Sequence, residues 1–138
     1  MIQNKEDLKF YLEPDRKALG IKRKRPKLSG DDIWKFQRLL RKREYIENQP
    51  RWKHIITYLI YKILYHKRQI KLGFSIPLNT FSPSLAIVHY GTIVVAGNAK
   101  IGKNCRIHEG VTIGATNGSD KAANIGDNVF LLAVGQKL

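Results

Sequence analysis

The chain has 138 residues, 43% of them hydrophobic, with 25 Lys and Arg against 11 Asp and Glu. That length holds one ordinary domain or two small parts, and that apolar fraction excludes wholesale disorder. A single cysteine, Cys105, excludes an intramolecular disulfide framework and suits a reducing compartment.

The formal charge of +14 is uneven: residues 1–72 carry 20 cations against 8 anions, and residues 73–138 carry 5 against 3. The chain therefore divides into a basic part, 1–72, and a second part, 73–138, with different jobs. The opening MIQNKEDLKF lacks the apolar segment of a secretory signal, so the expected setting is the cytoplasm.

In chain order, Asn4 is placed to cap a short helix through Leu12, with Pro14 close behind its end. A basic connector follows, IKRKRPKLSG, broken by Pro26 and Gly30. Ser29 with Asp32 resembles a capping arrangement for the next helix, DDIWKFQRLLRKREYI. There Ile33, Phe36 and Leu40 share a face, with Arg38, Arg41, Lys42 and Arg43 around the rest. After Pro50, residues Trp52, Ile55, Ile56, Leu59, Ile60, Ile63 and Leu64 fall on one apolar stripe, and this spacing predicts a helix over 52–68.

The basic part has a plain reading, a solvated cationic face on a helix that packs against partner helices. A second reading lays it on an anionic membrane surface, since its flank is basic and its face apolar. The apolar run before Lys62 is about 7 residues, far short of the roughly 20 that span a bilayer. No nucleic-acid-binding module is recognisable, so no nucleic-acid partner is expected.

The second part repeats every six residues. Val95, Ile101, Ile107, Ile113, Ile125 and Leu131 share one phase, and small residues such as Ala96, Gly102, Gly114 and Gly126 follow most of them. The phase survives residues 115–124, as though a loop bulges from a regular coil. Six is too long for one helix face and carries more than strand alternation. It suits a solenoid of short parallel strands, each contributing one inward aliphatic. Ile101, Ile107, Ile113 and Ile125 are the expected core.

The stretch HYGTIVVAGNAKIGKNCRIHEGVTIGATNG, residues 89–118, resembles the hexapeptide-repeat acyltransferases, and among them serine O-acetyltransferase and its relatives in surface-polysaccharide gene clusters. The specific pieces are the start at His89 and the run VTIGAT, which is similar to the family's VTLGGT. The resemblance implies an α+β chain, an N-terminal helical region followed by a left-handed parallel β-helix, and a homotrimer. It implies acetyl-CoA as co-substrate and transfer of its acetyl group to the hydroxyl of L-serine. His89 then stands at the catalytic histidine's position, Gly114, Ala115 and Thr116 at the acetyl-CoA site, and Asp120 and Lys121 at the acceptor site.

Such a transfer needs a base for the hydroxyl, donors for the oxyanion and a groove for the pantetheine arm. A neutral imidazole, with an ordinary pKa of about 6.5, can take a hydroxyl proton near neutral pH. Read from its register alone, His89 could instead fill an aliphatic slot, because 89 shares the phase of 95 and 101. His108 falls at a corner and reads as solvent-facing or structural, and His54 and His66 as surface residues. Four scattered histidines and one cysteine show no metal-ligand spacing, so no metal is expected.

The chain departs from the family at Val88, where serine acetyltransferases carry Asp, and at Ala122, where they carry a second histidine. These positions concern the acceptor, and they open two alternatives: a sugar hydroxyl in surface-polysaccharide synthesis, or a non-catalytic trimeric scaffold. At the C-terminus LLAVGQKL places Leu132 at a corner and Lys137 at an inward position. The resemblance thus implies an incomplete, C-terminally truncated acyltransferase part. Weak acetyl-CoA binding and slow turnover are expected, with residues from about 131 leaving the coil.

Overall fold

A computed structural model describes residues 1–115, 121 and 123–133. Three helices come first: α1 Lys5–Ala18, α2 Asp32–Glu47 and α3 Ile55–Leu72, with a 3₁₀ turn at Arg51–Lys53. Among the described residues eight short strands follow: β1 Phe74–Ser75, β2 Ala86–Ile87, β3 Ile93–Val95, β4 Lys100–Ile101, β5 Arg106–Ile107, β6 Thr112–Ile113, β7 Asn124–Ile125 and β8 Phe130–Leu131.

The Asn4 side chain accepts from the backbone N–H groups of Glu6 and Asp7 at 2.9 and 2.8 Å, which satisfies two orphan donors of the first turn. Helix α1 does not stop before Pro14; it runs through it to Ala18. Proline costs one backbone bond, and tertiary contacts hold the following turn in compensation. Asp15 is buried against Arg41, and the Arg16 guanidinium donates to the carbonyls of Ile21 and Lys22.

Helix α2 begins differently from the expected Ser29–Asp32 cap. Its N-cap is Asp31, at φ 55°, with no side-chain capping bond. The Asp31 carboxylate is engaged with the connector instead, accepting from the Lys27 N–H at 2.8 Å and pairing with Arg23.

The third helix starts three residues later and ends four residues later than the expected 52–68, and its orientation reverses the simplest view of its stripe. Tyr58, Tyr65 and Leu72, seven residues apart, are the buried side chains. The aliphatic stripe faces outward. Among the described residues no helix is long and apolar enough to cross a membrane.

The left-handed parallel β-helix expected for 73–138 is corrected by the strand topology. The described strands are two or three residues long and lie in three separate parallel sheets, ordered β1-β3-β6, β2-β5-β8 and β4-β7. The physical reason lies in the pairing offsets. Val94 pairs with Thr112, Ala86 with Arg106 and Lys100 with Asn124, so the step from strand to partner changes between sheets. The six-residue pattern selects the buried side chains without imposing one uniform coil.

That selection is clear in the core. Ile101, Ile107 and Ile113 are buried, whereas Ile125 and Leu131 are half-buried in strands with a described neighbour on one side only. Phe36, Leu40, Tyr65 and Leu72 from the helices join the same apolar cluster as Ile87, Ile93 and Val95 from the strands. Leu131, expected to mark departure from the coil, is paired with Ile107 in β8. The later C-terminal expectations, including Lys137, lie outside the described residues.

Candidate functional site

Strands β2, β5 and β8 carry the site at their ends. The Val88 N–H donates to the Ile107 carbonyl at 3.0 Å, and the His108 N–H donates to the Leu131 carbonyl at 3.0 Å. These parallel ladders continue just past the strands, so His89 and His108 come side by side. Their ring centroids are 5.7 Å apart in an edge arrangement, and the His108 ring lies 5.1 Å from Phe130. Arg106 covers the Phe130 ring at 5.9 Å.

Glu109 completes the group. Its Oε2 lies 3.9 Å from Nδ1 of His108. Gly91 makes this possible: its φ is 136°, and a Cβ there would stand 2.9 Å from the Glu109 Cβ. Only glycine permits both that conformation and that approach.

Burial separates the three roles. His89 is exposed, whereas His108 and Glu109 are half-buried. The His108 Nε2 atom is itself buried and has no hydrogen-bond partner among the described residues. The ligand atoms of His89, His108 and Glu109 all lie within 4.8 Å of one another. Sequence spacing showed no metal-ligand pattern; folding assembles two imidazoles and a carboxylate from separate strands.

A groove of about 330 Å³ lies against the same strand end, lined by Val88 and Tyr90, which flank His89, and by Asp31, Asp32 and Trp34 from the start of α2. The Lys27 backbone N–H and the Arg23 guanidinium beside it hold the Asp31 carboxyl below the usual carboxylate range. Both carboxylates of the groove are ion-paired, Asp31 with Arg23 and Asp32 with Arg68 and Lys71, and the His89 side chain is not part of its lining.

The other expected site residues are distributed less compactly. Gly114 and Ala115 follow β6 and are exposed, and Lys121 is exposed. Thr116, Asp120 and Ala122 lie outside the described residues. His54 and His66 are exposed on and beside α3. Sequence reasoning missed Glu109, although it adjoins His108, and missed Asp31 and Asp32, which share a groove with Val88 and Tyr90 only in the folded chain. Comparisons of the chain with models of protein families, with curated proteins and with solved structures find no match, and the chemistry of the site is read from the cluster and groove themselves.

Proposed function

We infer that the chain is an O-acetyltransferase that moves the acetyl group of acetyl-CoA to the hydroxyl of L-serine. The observation that carries this reading is an exposed imidazole, His89, set edge-on against the half-buried His108, with Glu109 within ligating reach of both. Nε2 or Nδ1 of neutral His89 takes the hydroxyl proton as the oxygen attacks the thioester carbon. The tetrahedral oxyanion collapses, the C–S bond breaks, and the imidazolium returns the proton to the departing thiolate. The products are an O-acetyl ester and the free thiol of CoA. L-serine as the acceptor follows the resemblance of residues 89–118 to serine O-acetyltransferase. The small, exposed Gly114 and Ala115 leave room for a pantetheine arm. In a homotrimer His89 would meet a neighbouring subunit, consistent with its exposure.

The test is thiol release from acetyl-CoA with L-serine and with a panel of sugars. The expected result is release with serine, falling by roughly 10²–10⁴-fold in kcat for His89→Ala. Release with a sugar alone would move the acceptor to the carbohydrate alternative. Release with no acceptor, or equal rates for parent and variant, would overturn the assignment and leave the scaffold reading.

One observation favours a second reading of the same cluster. Two histidines and a glutamate within ligating reach of one another are a donor set suited to zinc, and the unpartnered Nε2 of His108 is buried beside them. Titration with zinc distinguishes this reading, which expects binding that is lost in His108→Ala.

A further inference from the structure

Helix α3 presents to solvent what a core helix would hide. Ile55, Ile56, Leu59, Ile60, Ile63 and Leu64 are all exposed, Ile56 at 72%, while the opposite side packs through Tyr58, Tyr65 and Leu72. Just before α3, Trp52 in the 3₁₀ turn is 79% exposed, with the Lys53 ammonium 5.0 Å from its ring. A contiguous apolar face of this kind marks an interaction surface.

Charge decides what covers it. Residues 50–73 contain six Lys and Arg and no Asp or Glu. Arg51 approaches Glu47 at 3.3 Å, and Arg68 and Lys71 approach Asp32 at 3.5 and 3.9 Å. Among the described residues no carboxylate pairs with Lys53, Lys62 or Lys67. A second copy of α3 laid along this face would set two wholly cationic helices side by side, with like charges opposed. A surface of anionic headgroups over an apolar interior complements both features at once. The first turns of the helix are apolar outward, its last turns expose His66, Lys67 and Lys71, and Trp52 stands where an aromatic ring meets headgroups.

We propose that α3 docks the protein on an anionic lipid surface, lying flat with Ile56, Ile60 and Ile63 directed into the headgroup–acyl boundary and its lysines among the headgroups. Ile56, Ile60 and Ile63 belong neither to the His89, His108 and Glu109 cluster nor to the lining of the groove beside it, so the proposal stands or falls independently of the acetyl-transfer reading.

The test uses the full chain with vesicles of phosphatidylcholine alone and of phosphatidylcholine with phosphatidylglycerol. The expected result is sedimentation with the anionic vesicles only, weakened by salt. Brominated lipid should quench Trp52 and spare Trp34, which is 2% exposed. The doubly substituted Ile56→Glu, Ile63→Glu chain should keep its circular dichroism and lose partitioning by roughly a hundredfold. Equal binding to both vesicle types would overturn the charge-selected docking. So would no vesicle binding, including the case of a parent oligomer that the double substitution dissociates, which would assign the face to a second copy.

Discussion

The thiol of Cys105 lies in the apolar interior one residue before β5, and burial pushes its pKa from an ordinary 9.0 up to about 11. The native state therefore holds the proton more tightly than the unfolded chain does. Its contribution to stability is complete below pH 9 and declines as pH rises toward about 11. Urea unfolding at about pH 8 and about pH 10.5 should show a larger alkaline loss for the parent than for Cys105→Ala. An identical loss in both would remove the thiol as the cause. Alkylation of the folded protein should likewise be slow and become fast in denaturant, since the thiolate is the reactive form. At this scale the residue types of the site were legible in the sequence, but their company was not. His89 and His108 lie nineteen positions apart and meet only because β2 and β5 pair.

Among the elements, the small residues after each aliphatic look equivalent in sequence, and the strands make them unequal. A Cβ on Gly102 would stand 2.6 Å from the carbonyl carbon and oxygen of Gly126, whereas a Cβ on Gly126 meets nothing within 4 Å. Gly102→Ala should destabilise the fold by about 1–3 kcal/mol and Gly126→Ala by much less, as measured by denaturant midpoints. Comparable effects at both positions would show that the approach of β4 and β7 is not what constrains Gly102. The helices teach a related lesson. The stripe of α3 correctly forecast a helix, but a period of 3.6 reports amphipathicity and not which face meets the core. The face that packs is a tyrosine-rich one, where Tyr65 stacks on Phe36 at 5.4 Å and donates its hydroxyl proton to the Ile76 carbonyl at 2.6 Å.

For the molecule as a whole, buried polar groups tie the helices to the strands. Arg41 is fully buried and bonds Asp15 of α1 at 2.7 Å, Glu44 of α2 at 3.0 Å, and the carbonyls of Phe81 and Ser82 at 2.8 and 2.9 Å. Asp15 in turn accepts from the Leu85 N–H at 2.9 Å, and Glu44 from the Asn79 N–H at 2.8 Å. Burial works against the Arg41 charge, but Asp15 and Glu44 outweigh it and hold the guanidinium above its ordinary pKa. Gln37 acts as a surrogate strand, donating to the Leu85 carbonyl at 2.8 Å and accepting from the Ile87 N–H at 2.9 Å. Arg41→Ala leaves two buried carboxylates without their cation and should cost about 3–5 kcal/mol. Arg38→Ala, at a half-buried arginine stacked on Trp34, should cost no more than about 1 kcal/mol. Chemical denaturation of the two variants checks this, and similar losses would show that Arg41 is not the tie between the two parts.

Local chemistry explains the division between what was readable and what was not. Legible along the chain were the existence of three helices, the Asn4 cap, and the aliphatics at 101, 107 and 113 that go inside, because each depends on near neighbours. Long-range packing was needed to set Pro14 within α1, to bury Arg41 rather than leave it solvated, and to arrange the strands in three separate sheets. It alone turned the apolar face of α3 outward and brought His108 and Glu109 beside His89. Each of these outcomes depends on groups far apart in the chain. A buried cation, for example, is tolerable only where two carboxylates and two carbonyls converge on it, and no local pattern around Arg41 encodes that convergence.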